Sequence, residues 1–178
     1  MIIRPATAAD AEAMAALYAH HVLHGVATFE ETPPTAGEMA SRLQAVRALG
    51  LPWHVAQEDG RILGFAYAGA YRHRSAYRYT AETSIYVAAD ALRRGVGRAL
   101  LQRVISDCEA LGLRQLLGVI GDSANAGSVG LHRSLGFEPI GTLPAVGYKH
   151  GRWIDVVFMQ KALNGGSLSD PQGKGLSL

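Results

Sequence analysis

Several stretches of this sequence combine residue types and spacings that can do chemistry. Arg93-Arg94-Gly95-Val96-Gly97-Arg98-Ala99 follows a strand pattern and opens a helical one. At such a junction the unmet N–H groups of the first helical turn face an anion. Gly95 and Gly97 would let phosphate oxygens approach the main chain, and Arg94 or Arg98 would add charge at the rim. The same residues could also form no more than a tight turn capped by solvated arginines. No Lys-Ser/Thr pair follows, so this is not the nucleoside-triphosphate loop, and the three-glycine dinucleotide spacing is absent.

Glu82 lies on the strand pattern just before that turn, where a salt-bridged strand-edge carboxylate is the plain reading. Tyr86, Val87 and Ala88 close the same strand pattern. Arg72, Arg74 and Arg78 sit in the preceding loop, and a guanidinium can make two directed bonds to an anionic group. Exposed arginines are common, so a solvated basic loop would account for them equally.

Further on, Asn125 can satisfy a strand-end or ligand group, and Ser128 can cap a helix or bond a ligand. His132 stands about two helical turns beyond Asn125. His20, His21 and His24 lack the carboxylate or cysteine that would complete a metal set, so no metal is expected. Tyr67, Tyr71, Tyr77, Tyr79 and Tyr86 read as strand packing rather than base-stacking platforms.

These residues need elements to position them. Ile2-Ile3 suits a short strand, and Thr7 with Asp10 caps a helix carrying Met14, Leu17 and Tyr18. Thr35 and Glu38 repeat the capping pattern before a helix through Ala48, stopped by Gly50 and Pro52. Asp59-Gly60 predicts a hairpin between 53–57 and 61–70, with a further strand over 80–88. Val96, Leu100, Val104 and Cys108 form one stripe of a helix ending near Gly112. A strand over 116–120, a helix over 128–135 and strands over 137–140 and 154–160 complete the pattern. The expectation is one α/β unit over 1–163, with a mixed, mostly antiparallel sheet flanked by helices.

Composition sets the outer limits. The 178 residues are 48% hydrophobic, enough for a single domain with a sizeable core. Seventeen Lys and Arg against 15 Asp and Glu leave a formal charge of +2, too balanced to suggest nucleic-acid binding. Cys108 alone cannot form an internal disulfide. Arg4, Asp10 and Glu12 interrupt any leader-like start, and no run nears the ~20 apolar residues of a membrane span, so a soluble cytoplasmic protein is expected. From Asn164 to Leu178 weak apolar content predicts a flexible tail.

Taken together, Arg94-x-x-Gly97-x-Ala99 and the segment from Asn125 to Gly136-Phe137 resemble the acetyl-CoA motifs of the GNAT superfamily of N-acetyltransferases. Phe29-Glu-Glu-Thr-Pro33, Thr80-Ala-Glu82-Thr-Ser-Ile-Tyr86-Val87 and the segment from Gly147 to Asp155 resemble its phosphinothricin and methionine sulfoximine branch. The resemblance implies acetyl transfer from acetyl-CoA to the primary amine of a small amino-acid-like acceptor, with a homodimer possible. It implies that Glu82 deprotonates the amine and that His132 stands where other branches place a proton-donating tyrosine. It places coenzyme against Tyr86, Val87, Arg94 to Ala99, Asn125 and Ser128, and acceptor against Phe29, Arg72, Arg74 and Arg78. Another GNAT acceptor, such as a polyamine or peptide amine, or a non-catalytic CoA-binding role are the alternatives.

Overall fold

Thr7 and Asp10 open the first helix of the computed structural model, which describes residues 1–178. The Asp10 carboxylate accepts from the Thr7 N–H at 2.7 Å and from the Arg4 guanidinium through both oxygens, at 2.7 and 2.8 Å. After a single 3-10 turn over Ala8–Asp10 the chain continues as α1, Ala11–His24. The Arg4 hydrogen bonds, helped by Thr7 and opposed by burial, hold the Asp10 carboxyl down at about 2. A lowered folded-state pKa stabilises the fold above the ordinary carboxylate range and loses that contribution as pH falls through about 2. Asp10→Asn should therefore cost about 2 kcal/mol at pH 7 and much less near pH 2, read by denaturant unfolding at both values.

The second capping signature forms as expected: Thr35 Oγ1 accepts from the Glu38 N–H at 3.2 Å, while Glu38 accepts from the Thr35 N–H at 2.6 Å. It starts α2, Ala36–Ala48. The strands are β1 (Ile2–Pro5), β2 (Trp53–Glu58), β3 (Arg61–Ala70), β4 (Thr80–Val87), β5 (Gln115–Gly121), β6 (Glu138–Lys149) and β7 (Arg152–Ala162). Helix α3 spans Val96–Ala110 and α4 spans Ala126–Ser134.

All seven strands form one sheet in the order β1-β2-β3-β4-β5-β7-β6. Every neighbouring pair is antiparallel except β4 with β5, which run parallel. Each face of the sheet buries a separate apolar layer. On one face α1 and α2 place Met14, Tyr18, Met39 and Leu43 over Trp53, Val55 and Phe65. On the other, α3 buries the expected stripe of Val96, Leu100, Val104 and Cys108, with Leu101 and Ile105 beside it. Burial pushes the Cys108 thiol up to about 12, so it is an inert core group.

Strand alternation explains how α3 comes so close. Gly64, Ala66 and Ala68 put small residues on its side of β3, while Phe65 and Tyr67 point to the other layer. A Cβ at Gly64 would stand 2.8 Å from the Tyr86 carbonyl oxygen and 3.2 Å from both Leu100 and Val96.

Four sequence expectations need adjustment. The strand expected over 137–140 is part of a 12-residue β6 that runs to Lys149. Pro139, Gly141, Pro144 and Gly147 hide its alternation, and such residues are tolerated because β6 is an irregular edge strand. The helix expected from Ser128 starts at Ala126, with Asn125 as its cap: Asn125 Oδ1 accepts the Ser128 N–H at 3.1 Å. The link over 71–79 contains a 3-10 turn at Ser75–Tyr77. Beyond Asn164 the chain lies against the domain. Leu176 is buried, its N–H bonds the Arg78 carbonyl at 2.8 Å, and Arg114 Nη2 donates to the Ser169 carbonyl at 2.7 Å.

Candidate active site

The parallel pair does not stay paired. β4 and β5 are in register over Thr80–Thr83 against Gln115–Gly118 and then separate, while β4 continues on β3 and β5 continues on β7. A wedge opens between their C-terminal halves. Glu82, Ser84, Ile85 and Tyr86 line one side, and Val119, Ile120 and Gly121 the other. Asn125, Ser128 and His132 reach it from the α4 segment, Ala27 and Phe29 from the α1–α2 connection, and Val156 from β7. The cavity, open on one side, is about 230 Å³. Such a cavity is small enough to hold the reacting ends of two substrates and not their full length.

Separation of the strands frees main-chain groups. The Ala88 N–H is bonded to Leu63 on the β3 side at 2.9 Å, so alternation turns the Ile85 and Val87 amides toward the open wedge. His21 Nε2 bonds the Val87 carbonyl at 3.0 Å, and burial keeps the His21 pKa below its ordinary value. A neutral His21 therefore donates Nε2–H to that carbonyl and fixes the end of β4.

Glu82 is half-buried in this wedge and has neither a hydrogen bond nor an ion pair within the chain. Burial alone raises its pKa above the ordinary glutamate value, which is the setting of a stronger base. Across the cavity His132 is 4% exposed, with Nδ1 2.9 Å from the Ser128 carbonyl and Nε2 3.4 Å from Thr83 Oγ1. Since a carbonyl only accepts, Nδ1 carries the proton. Burial lowers the His132 pKa against the raising effect of Ser128, so the ring is neutral and Nε2 is an acceptor. A proton donated from Nε2 would have to come from the imidazolium, which burial disfavours.

The glycine turn stands beside the wedge. Gly95 has φ +82° with open space where a side chain would lie, and α3 begins at the next residue. No side chain caps the first turn and no acidic residue occupies it, so the amides of Val96, Gly97 and Arg98 are available to an anion. A Cβ at Gly97 would meet Leu131 of α4 at 3.2 Å and Val87 of β4 at 3.6 Å, so this glycine ties the turn to both walls of the wedge. Arg94 is ion-paired with Glu58, and Arg98 Nη1 donates to Ser134 Oγ at 2.8 Å, so both guanidinium groups already have partners. The turn has the donors, the space and the absence of negative charge that a diphosphate needs. Ala99 lies within the helix, its N–H bonded to the Gly95 carbonyl at 3.0 Å.

Glu82, Tyr86, Phe29, Asn125, Ser128 and His132 are thus gathered around one cavity, with Val87 and the 94–99 turn adjoining it. Arg72, Arg74 and Arg78 are not on its wall. The Arg72 guanidinium lies 5.3 Å from the centre of the Tyr71 ring, and Arg78 Nε donates to the Ser75 carbonyl at 2.6 Å. Sequence reasoning missed Ser84 and the two glycines of β5. A Cβ at Gly118 would lie 2.7 Å from the His132 ring, and one at Gly121 would lie 2.5 Å from the Val26 carbonyl. Their signal was present as glycine inside an otherwise apolar strand, which marks close approach by another group.

Residues 3–158 match the model of a family described as acetyltransferase (GNAT) domain. The chain is 52% identical to a phosphinothricin N-acetyltransferase of Alcaligenes faecalis over 163 residues, covering 92% of this chain and 83% of that protein. It is 38% identical to an L-methionine sulfoximine/L-methionine sulfone acetyltransferase of Salmonella typhimurium, over 92% of this chain and 95% of that one. A crystal structure of a phosphinothricin acetyltransferase from Sinorhizobium meliloti in complex with acetyl-CoA superposes with a TM-score of 0.94 at 44% identity, covering 98% of this chain and 94% of the other.

Proposed function

Because this chain belongs to the GNAT acetyltransferase family, we propose that it transfers an acetyl group from acetyl-CoA to the primary amine of a small amino-acid-like acceptor of the phosphinothricin, methionine sulfoximine or methionine sulfone type. The observation that carries the reading is the unpartnered Glu82 carboxylate in a wedge that adjoins an uncapped, glycine-led helix start. A polyamine acceptor and a non-catalytic CoA binder are the wider alternatives, and a panel of acceptors separates them from this reading.

The residues divide the work. The amides of Val96, Gly97 and Arg98, with the αL turn at Gly95, hold the coenzyme diphosphate; Asn125 and Ser128 line the adjoining cavity. The coenzyme supplies an acetyl carbon made electrophilic by its thioester. An acceptor ammonium must lose a proton before its nitrogen lone pair can attack, and Glu82 takes that proton directly or through one water. The Ile85 and Val87 amides, turned into the wedge, are donors for an oxygen that gains negative charge there; its collapse would break the thioester C–S bond, and the second amine proton would pass to the departing CoA thiolate, leaving the N-acetyl amide and free CoA thiol. His132 is a neutral acceptor on the cavity wall. Arg72 and Arg74, which form no ion pair, are assigned to the anionic end of the acceptor, with Arg78 held in the same loop by Ser75.

A homodimer belongs to the same reading. The edge strand β6 and its neighbour β7 expose Ile140, Leu143, Val146, Tyr148 and Trp153, and this edge with its apolar side chains is suited to a second copy. No helix is long and apolar enough to cross a membrane. Use of acetyl-CoA favours a cytoplasmic setting.

The deciding experiment offers acetyl-CoA with phosphinothricin, methionine sulfoximine, methionine sulfone, ordinary amino acids and polyamines, and reads CoA release and product mass. Saturable N-acetylation of the amino-acid analogues supports the reading. Turnover of polyamines alone would replace the acceptor, and coenzyme binding without any turnover would replace the enzyme with a binding protein. Sedimentation of the same preparation should give about twice the 18.9 kDa of one chain.

A further inference from the structure

Strand β6 is exposed along nearly its whole length, and its two buried positions are Gly147 and Lys149. Two residues apart on a strand, they face the same side. Both are in contact with one short piece of chain, the connection between α1 and α2. The Lys149 ammonium, 3% exposed, donates to the Thr28 carbonyl at 2.9 Å. The Phe29 ring lies across Gly147 so closely that an added Cβ would stand 2.4 Å from a ring carbon. Phe29 in turn forms part of the cavity wall opposite Glu82 and Ser84.

The connection is fixed on its other side as well. The Tyr18 hydroxyl lies 2.6 Å from Thr28 Oγ1 and donates to Glu30 at 2.9 Å, and Glu30 accepts both Arg42 nitrogens at 2.7 and 3.0 Å. Residues on either side of Phe29 are therefore clamped by α1 and α2, and β6 supplies the floor and the last anchor. The Lys149 ammonium has a single hydrogen-bond acceptor in the chain, and burial lowers its pKa against the raising effect of Glu31 and Glu30, which belong to the same connection. Spending a buried cation on one loop carbonyl needs a reason, because an apolar residue of that size would fill the space without the desolvation cost.

We propose that Gly147 and Lys149 are positioning residues for acceptor selectivity: together they set where the Phe29 ring stands over the acceptor end of the cavity. This rests on the assignment of the wedge as the acetyl-transfer site. Neither residue touches the reacting atoms. Gly147 fixes how low the ring can lie, and Lys149 fixes the main chain one residue before it.

The test is a double-mutant cycle read on two acceptors of different side-chain shape, phosphinothricin and methionine sulfone, in the full-length protein. Gly147→Ala should change the ratio of their kcat/KM values by about tenfold through the acceptor KM, with the acetyl-CoA KM within about twofold. In a Phe29→Ala background the same substitution should change that ratio by less than about twofold, because the ring it acts through is gone. Lys149→Met should shift the acceptor KM in the same way, and Lys149→Arg, which keeps a donor, should restore it.

An equal effect of Gly147→Ala in both backgrounds, or a loss shared evenly between both substrates, would overturn the inference and leave a purely structural strand. If Lys149→Met does not fold, the cycle at 29 and 147 decides alone. Absence of wild-type turnover with either acceptor would remove the proposed function and this inference with it. Wild-type turnover with an unmoved ratio in Gly147→Ala would remove this inference only.

Discussion

Glu82→Gln should lower kcat by about a hundredfold to ten-thousandfold while leaving acetyl-CoA affinity within about twofold, since a positioned general base contributes rate and not coenzyme contacts. The amide keeps the shape of the carboxylate and removes its basicity. In the unmodified protein kcat/KM should rise with pH through the Glu82 pKa, which burial places above the ordinary glutamate value. In Glu82→Gln that rise should disappear.

The same substitution has an opposite effect on stability. A carboxyl whose folded-state pKa is raised contributes stability below its unfolded pKa and loses it as pH rises through the folded value. At neutral pH the ionised Glu82 is therefore a burden on the fold, with no partner to offset its desolvation. Glu82→Gln should raise Tm at pH 7 while removing turnover. A drop in Tm together with full activity would show that the carboxylate is a structural group, and the base would have to be sought elsewhere. A site that costs stability in this way is what a stability–activity trade-off predicts.

The second large effect is at Gly97. Its missing side chain lets α3 start between β4 and α4, and a Cβ there would already be 3.2 Å from Leu131. Gly97→Leu should force α3 and α4 apart, at about 1–3 kcal/mol of overpacking, and move the first-turn amides away from the wedge. The Kd for acetyl-CoA should rise at least about tenfold, with far-UV circular dichroism retained. Gly97→Ala should fall between the two, because Leu131 is a flexible neighbour that can give by a few tenths of an ångström. An unchanged Kd in Gly97→Leu with a preserved fold would place the coenzyme elsewhere.

Much of this arrangement can be read in the sequence where a local rule and the global fold agree. The Thr35–Glu38 box, the Asp59-Gly60 hairpin and the stripe on α3 each depend on neighbours within a turn or two, and each appears as expected. β6 is different. Its prolines and glycines break the period-two pattern, and its length is set by pairing with β7, a contact the local pattern does not encode. At the site, Glu82 and the 94–98 turn are legible because their chemistry is stated by residue type. The wedge is not, because it arises where two strands stop pairing, and no single residue announces that. Thr83, 3.4 Å from His132 Nε2, carries no sequence signal of its own, and Gly118 carries only that of a glycine inside an apolar strand, which does not say what approaches it. The arginines of the 71–79 loop stand outside the cavity lining, so their assignment to the acceptor rests on residue type and loop position and not on the wall of the wedge.

The strand order carries a consequence for how the chain is made. β7 lies inside the sheet, between β5 and β6, although it follows both in sequence. Until Arg152–Ala162 has been synthesised, β5 offers an open hydrogen-bonding edge beside the apolar Val119 and Ile120, and β6 has no place to dock. A nascent or nicked chain that ends before β7 therefore presents an adhesive border at its centre, the kind that recruits strands from other molecules. Solubility on expression should depend on completion of this penultimate step of the weave more than on the surface charge of the finished protein.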